Sequence, residues 1–84
     1  MKVAFKLYAT LSDYLPIEAR QSNRLDLEVP PGTTPRDLME RYALPSRLCH
    51  LVLVNGVFVP PAERASRALV EGDVLAIWPP IAGG

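Results

Sequence analysis

Side chains that do chemistry are scarce in this chain. It has one cysteine, Cys49, and one histidine, His50. A lone cysteine leaves no internal disulfide to form, which suits a reducing compartment and makes the cytoplasm the default location. One histidine with no second His or Cys at ligand spacing does not make a metal site. Cys49 beside His50 has two parts of an activated nucleophile, but no third group to orient them is evident, and an inert thiol is the plainer reading. Gly-rich phosphate loops and paired carboxylates are lacking too. Nine Lys and Arg balance nine Asp and Glu with no run of one sign, so the electrostatic footprint of a nucleic-acid or anionic-membrane binder is missing. No segment approaches the roughly 18 apolar residues of a membrane span, and lysines interrupt Met1-Lys2-Val3-Ala4-Phe5-Lys6.

What remains is a chain of 84 residues, 49% hydrophobic and 21% charged. That length fits one domain, residues 1–84, and a chain this short must bury a large share of its apolar side chains. From Lys2 to Tyr8 polar and apolar residues alternate, placing Val3, Phe5 and Leu7 on one face of a half-buried strand. Between Thr10 and Arg24, Leu11, Tyr14 and Leu15 have the spacing of a short helix before Pro16, and the rest reads as loop. Leu25, Leu27 and Val29 alternate with Asp26 and Glu28 in a second strand, stopped by Pro30-Pro31-Gly32. Thr34 is an N-cap, Pro35 suits the first helical position and Asp37 completes a capping box. Leu38, Met39 and Tyr42 give this helix its apolar stripe, and Pro45 limits it to about ten residues.

Asn55-Gly56 between Leu51-Val52-Leu53-Val54 and Val57-Phe58-Val59 is a hairpin signal, because a type I′ turn needs positive φ at both central residues. Residues 60–67 read as a surface connection and Glu71-Gly72-Asp73 as a turn. Val74 to Trp78 forms a last strand ended by Pro79-Pro80. The order ββαβββ with one sizeable helix predicts an α+β roll, a ubiquitin-like β-grasp with a mixed sheet packed on one main helix. First and last strands are then parallel neighbours at the centre, and a flexible tail, residues 79–84, leaves from the middle of the sheet.

That tail is Pro79-Pro80-Ile81-Ala82-Gly83-Gly84. With glycine usage near 7%, two final glycines arise by chance in roughly 0.5% of chains. A tail without Cβ atoms can thread a narrow channel and bring its backbone close to a bound nucleotide. Its carboxylate is a poor acyl donor. Reaction at the α-phosphate of ATP would give an acyl-adenylate that a persulfide or thiol can attack, with the machinery in another protein.

Val54-Asn55-Gly56, Glu71-Gly72-Asp73-Val74-Leu75-Ala76-Ile77 and Pro79-Pro80-Ile81-Ala82-Gly83-Gly84 resemble the MoaD/ThiS family of sulfur carriers. The resemblance implies a non-catalytic carrier with no permanently bound cofactor. An E1-like enzyme would use ATP to adenylate Gly84, and sulfur would be installed as a C-terminal thiocarboxylate. Pro79-Pro80 before the glycines look like the small subunit of molybdopterin synthase, so the implied destination is molybdopterin and the implied partner the large subunit, in a heterotetramer. Tyr8-Ala9-Thr10-Leu11-Ser12-Asp13 departs from the stretch that many molybdopterin-type members carry after strand one. The alternatives are a thiamine thiazole carrier, another sulfur acceptor enzyme, a modifier conjugated to lysines, or a binding module with an incidental tail.

On this reading Gly84 is the reacting residue, Gly83, Ala82 and Ile81 form the inserting tail, and Pro79 and Pro80 stiffen its base. Trp78 and Phe58 are candidates for an apolar docking patch near the tail root, with core packing as the competing explanation. Arg64 and Arg67 are the cations that acidic residues of an activating enzyme would meet, against the plainer reading of a solvated loop.

Overall fold

The structure is a computed structural model and describes residues 1–80. Five strands form one sheet in the order β2-β1-β5-β3-β4, with β1 Lys2–Leu7, β2 Arg24–Glu28, β3 Leu51–Val54, β4 Val57–Phe58 and β5 Val74–Trp78. The two central strands, β1 and β5, are parallel and pair Phe5 with Leu75 and Leu7 with Ile77. Every other pairing is antiparallel. This is the mixed sheet that the strand order predicts, with the first and last strands side by side in the middle.

Alternation along the strands sends one set of side chains to the core. Phe5, Leu7, Val52, Leu75 and Ile77 are fully buried there, and Leu38 and Met39 of the main helix cover them. Tyr42, just past that helix, packs its ring 5.0 Å from the ring of Phe5. The helix, α2 (Pro35–Arg41; α1 is Ile17–Arg20), begins as its sequence dictates. The Thr34 hydroxyl accepts the Asp37 N–H at 3.2 Å and the Asp37 carboxylate accepts the Thr34 N–H at 2.9 Å.

Three local readings are corrected. Helix α2 has seven residues rather than about ten, because Ala43 turns left-handed at φ 56° before Pro45 can act. The Ala43 and Leu44 N–H groups then close on the carbonyls of Glu40 and Met39, a Schellman ending in which buried Leu44 replaces a further turn. Pro16 divides two helical pieces instead of ending one. Ala9–Tyr14 is a 3₁₀ turn that buries Leu11, and α1 follows Pro16, with Arg20 donating back to the Leu15 and Asp13 carbonyls. Strand β4 is two residues long, and Val59 turns into the core while still donating to the Val52 carbonyl.

The hairpin turn at Asn55 and Gly56 has φ of 52° and 81°. Asn55 does more than turn the chain. Its amide donates to Asp73 at 2.8 Å and its carbonyl oxygen accepts the Val74 N–H at 2.9 Å, while the other Asp73 oxygen accepts the Val70 N–H. The hairpin and the 71–73 turn are thereby clamped together at the start of β5, which fixes the register of the strand that leads to the tail.

Candidate functional site

Strand β5 brings the chain to Trp78 at the centre of the sheet, where the His50 N–H donates to the Trp78 carbonyl at 3.1 Å. Pro79 and Pro80 follow. Neither has an N–H to offer a neighbouring strand, and their fixed φ carries the backbone away from the ladder. Ile81, Ala82, Gly83 and Gly84, the tail to which the sequence assigns the chemistry, lie outside the described residues.

Around this exit the sheet shows a second apolar face. Because Val52, Val54, Leu75 and Ile77 point into the core, Leu51, Leu53, Ala76 and Trp78 point out. The register pairs Leu53 with Phe58 and with Ala76, and Leu51 with Trp78. Phe58 is 49% exposed and Leu51 37%. Tyr8, at the end of β1, stacks on Trp78 with ring centroids 4.2 Å apart and planes 4° from parallel. The stack holds the indole in place directly before the two prolines, and Lys6 lies 5.9 Å from the Tyr8 ring as a cationic rim.

The rest of the same face, on β1 and β2, is charged: Lys6 pairs with Arg24, Ala4 with Asp26 and Lys2 with Glu28. A shallow cavity of about 540 Å³ on that side is lined by residues of both signs, including Lys2, Arg24, Asp26 and Glu71. It sits by the first residues of β1 and β5, away from the tail exit. The apolar half therefore adjoins the tail, and the mixed-charge half bounds it.

Of the residues proposed for docking, Phe58 and Trp78 come together on one outward face. Arg67 is exposed in the connection after β4. Arg64 is not, and the reading of it as a solvated cation is corrected. It is 7% exposed, and its guanidinium donates to the carbonyls of Val59 at 3.0 Å, Cys49 at 2.8 Å and His50 at 3.3 Å. Five donors in a planar fork let one arginine staple three strand-end carbonyls, which a sequence in a Pro-rich connection does not disclose. Cys49 is buried beside it, and burial pushes its thiol pKa up, with only partial relief from the Arg64 charge. A thiol harder to ionise is the opposite of an activated nucleophile.

The sequence reading missed Tyr8, Leu51 and Leu53. The signal for the last two was present: Leu51-Val52-Leu53-Val54 and Val74-Leu75-Ala76-Ile77-Trp78 are apolar on both faces, more than a strand with one solvated face requires. Tyr8 gave no such signal, since its partner is distant in sequence.

No curated protein matches the chain. Among solved structures, the chain is similar to SAMP1 from Haloferax volcanii, at 28% identity over 100% of both chains with a TM-score of 0.67. It also shares its fold with a putative molybdopterin converting factor, subunit 1, from Pyrococcus furiosus. That match is 23% identical, covers 96% of this chain and 99% of the other, and has a TM-score of 0.60. The fold is thus the ubiquitin-like β-grasp. The sequence profile of the ThiS family matches residues 14–84, from the end of the first 3₁₀ turn through the glycine pair, and the chain belongs to that family of ubiquitin-like sulfur carriers.

Proposed function

We propose that this protein carries sulfur as a thiocarboxylate on Gly84 and delivers it to molybdopterin assembly. An E1-like enzyme joins the Gly84 carboxylate to the α-phosphate of ATP with loss of pyrophosphate. A persulfide on the sulfur donor displaces AMP to give an acyl disulfide, and a thiol then cleaves its S–S bond, forming a disulfide with the donor sulfur and leaving the thiocarboxylate on Gly84. The observation that carries this reading is the exit geometry. A central strand delivers the chain through Pro79-Pro80 at the edge of an outward apolar face. Such a face lets a partner hold the folded body while the glycine end enters a catalytic channel.

In this reading Phe58, Leu51, Leu53 and Trp78 dock the activating enzyme and then, after its release, the large subunit of the synthase. Arg67 meets acidic groups at the rim. The chain contributes the reacting carboxylate, and the catalytic groups and ATP site belong to the partners. The Pro-Pro preceding the glycines supports molybdopterin, rather than thiamine thiazole, as the destination.

Activation is tested by exchange of labelled pyrophosphate into ATP with an E1-like enzyme of the same source. Exchange should require the chain and disappear when Gly83-Gly84 is removed. Exchange that persists without the glycines contradicts the proposal. Lysine-linked conjugate ladders without a thiocarboxylate would assign the same activated tail to protein modification instead.

A further inference from the structure

Arg64 is a buried cation with no counter-ion among the described residues. Among the described residues the ion pairs are Met1 with Glu28, Arg24 with Asp26 and Arg36 with Glu40, and no carboxylate lies within pairing distance of Arg64. Its three acceptors are backbone carbonyls, which satisfy hydrogen bonds but carry no net charge. Buried charges in folded proteins are ordinarily paired, because taking a cation out of water is costly unless an anion compensates. Burial accordingly pulls the guanidinium pKa below its usual range.

The uncompensated charge borders a cavity. About 300 Å³ of space beside Arg64 is lined by Arg36, Arg47, His50 and Ser46 as well. Three of the nine basic residues of a neutral chain meet at this one site, and no Asp or Glu lines it. Arg36 shares its charge with exposed Glu40 at 3.3 Å, while Arg47 is exposed and in no ion pair among the described residues. Guanidinium forks, a hydroxyl and an imidazole are the donor set for a tetrahedral oxyanion, which accepts several charge-assisted hydrogen bonds at once.

We propose that this cavity is a binding site for a phosphate-type oxyanion, with Arg64 as its fixed inner wall and Arg47, Arg36, His50 and Ser46 at its mouth. Its position gives the site a second meaning. The His50 N–H holds the Trp78 carbonyl and Arg64 lies 5.9 Å from the Phe58 ring, so an anion seated here touches residues that support both the tail exit and the docking face.

The test is an amide and arginine Nε–H chemical-shift titration of the whole chain at low salt, with inorganic phosphate in one arm and AMP in the other. The expected result is a saturable shift confined to residues 46–50, Arg36 and Arg64. Arg47→Gln should weaken it at least about tenfold, the scale of losing a charge-assisted pair. Arg24→Gln, on the far edge strand, should leave it unchanged. Arg64→Lys, checked for folding by its amide dispersion, should weaken it too, and if that variant does not fold the Arg47 comparison decides. Binding of phosphate supports a free-ion site, and binding of AMP alone supports a nucleotide phosphate as the source. No saturable shift in either arm, or one that Arg47→Gln leaves intact, overturns the proposal. None of these readouts depends on sulfur transfer.

Discussion

Arg64 and Cys49 show how much one buried pair decides. Arg64 ties Val59, Cys49 and His50 together through their carbonyls. Arg64→Ala would leave three acceptors without donors in a poorly hydrated place, and it should cost about 3 kcal/mol, read as a lower urea midpoint with an unchanged slope. Cys49 makes a separate prediction. Its folded pKa is raised by burial, so the unfolded chain ionises first as pH rises. The thiol's contribution to stability is then complete below the unfolded pKa of about 8.5 and declines as pH climbs from there through the folded pKa. Alkylation by iodoacetamide at pH 8 should be slow for the native chain and at least about a hundredfold faster in denaturant, as expected when reaction requires opening. Fast labelling of the native chain would contradict this placement. Neither residue could be read from sequence, because the feature that matters is which carbonyls the folded chain brings to Arg64, and those belong to segments up to 15 residues away.

Among the elements, α2 and the Asn55-Gly56 hairpin were legible, since their determinants lie within a few residues. Thr34, Pro35 and Asp37 are a complete local instruction for starting a helix, and the capping box formed as written. Thr34→Ala keeps one half of the box, the carboxylate on the backbone N–H at position 34, and should cost about 1 kcal/mol in thermal or urea denaturation. Loss of several kcal/mol would mean that the cap also secures the neighbouring 30–33 turn. The end of α2 was not legible, because Ala43 adopts a left-handed conformation that glycine or asparagine usually fills. What stabilises it there is the burial of Leu44, a tertiary effect. Residues 9–20 were obscured for a related reason. The spacing of Leu11 and Leu15 was visible, but Leu11 sits in a six-residue 3₁₀ turn and the α-helix after Pro16 has only four residues, too short to show a period of its own.

At the scale of the molecule, the sheet is apolar over its core face and over the β3–β5 half of the other, and it uses the two differently. One is the core beneath α2; the other, built from Phe58, Leu53, Leu51, Ala76 and Trp78, stays outward beside the tail exit. The candidate site was half legible: Phe58 and Trp78 were marked by their type and by nearness to Pro79-Pro80, whereas Tyr8 joined them only through the parallel pairing of β1 with β5. Phe58→Asp, at a position already 49% exposed, should change stability by less than about 1 kcal/mol. It should weaken binding to the E1-like enzyme at least about tenfold by calorimetry, as loss of an aromatic anchor does. Unchanged affinity would move the docking surface elsewhere. The central claim is the chemistry of Gly84, and intact mass tests it most directly. Incubated with ATP, the E1-like enzyme and a sulfur donor, the chain should gain about 16 Da at its C-terminus as sulfur replaces oxygen, and a chain lacking Gly84 should gain nothing. No mass change with a demonstrably active enzyme would contradict the sulfur-carrier account.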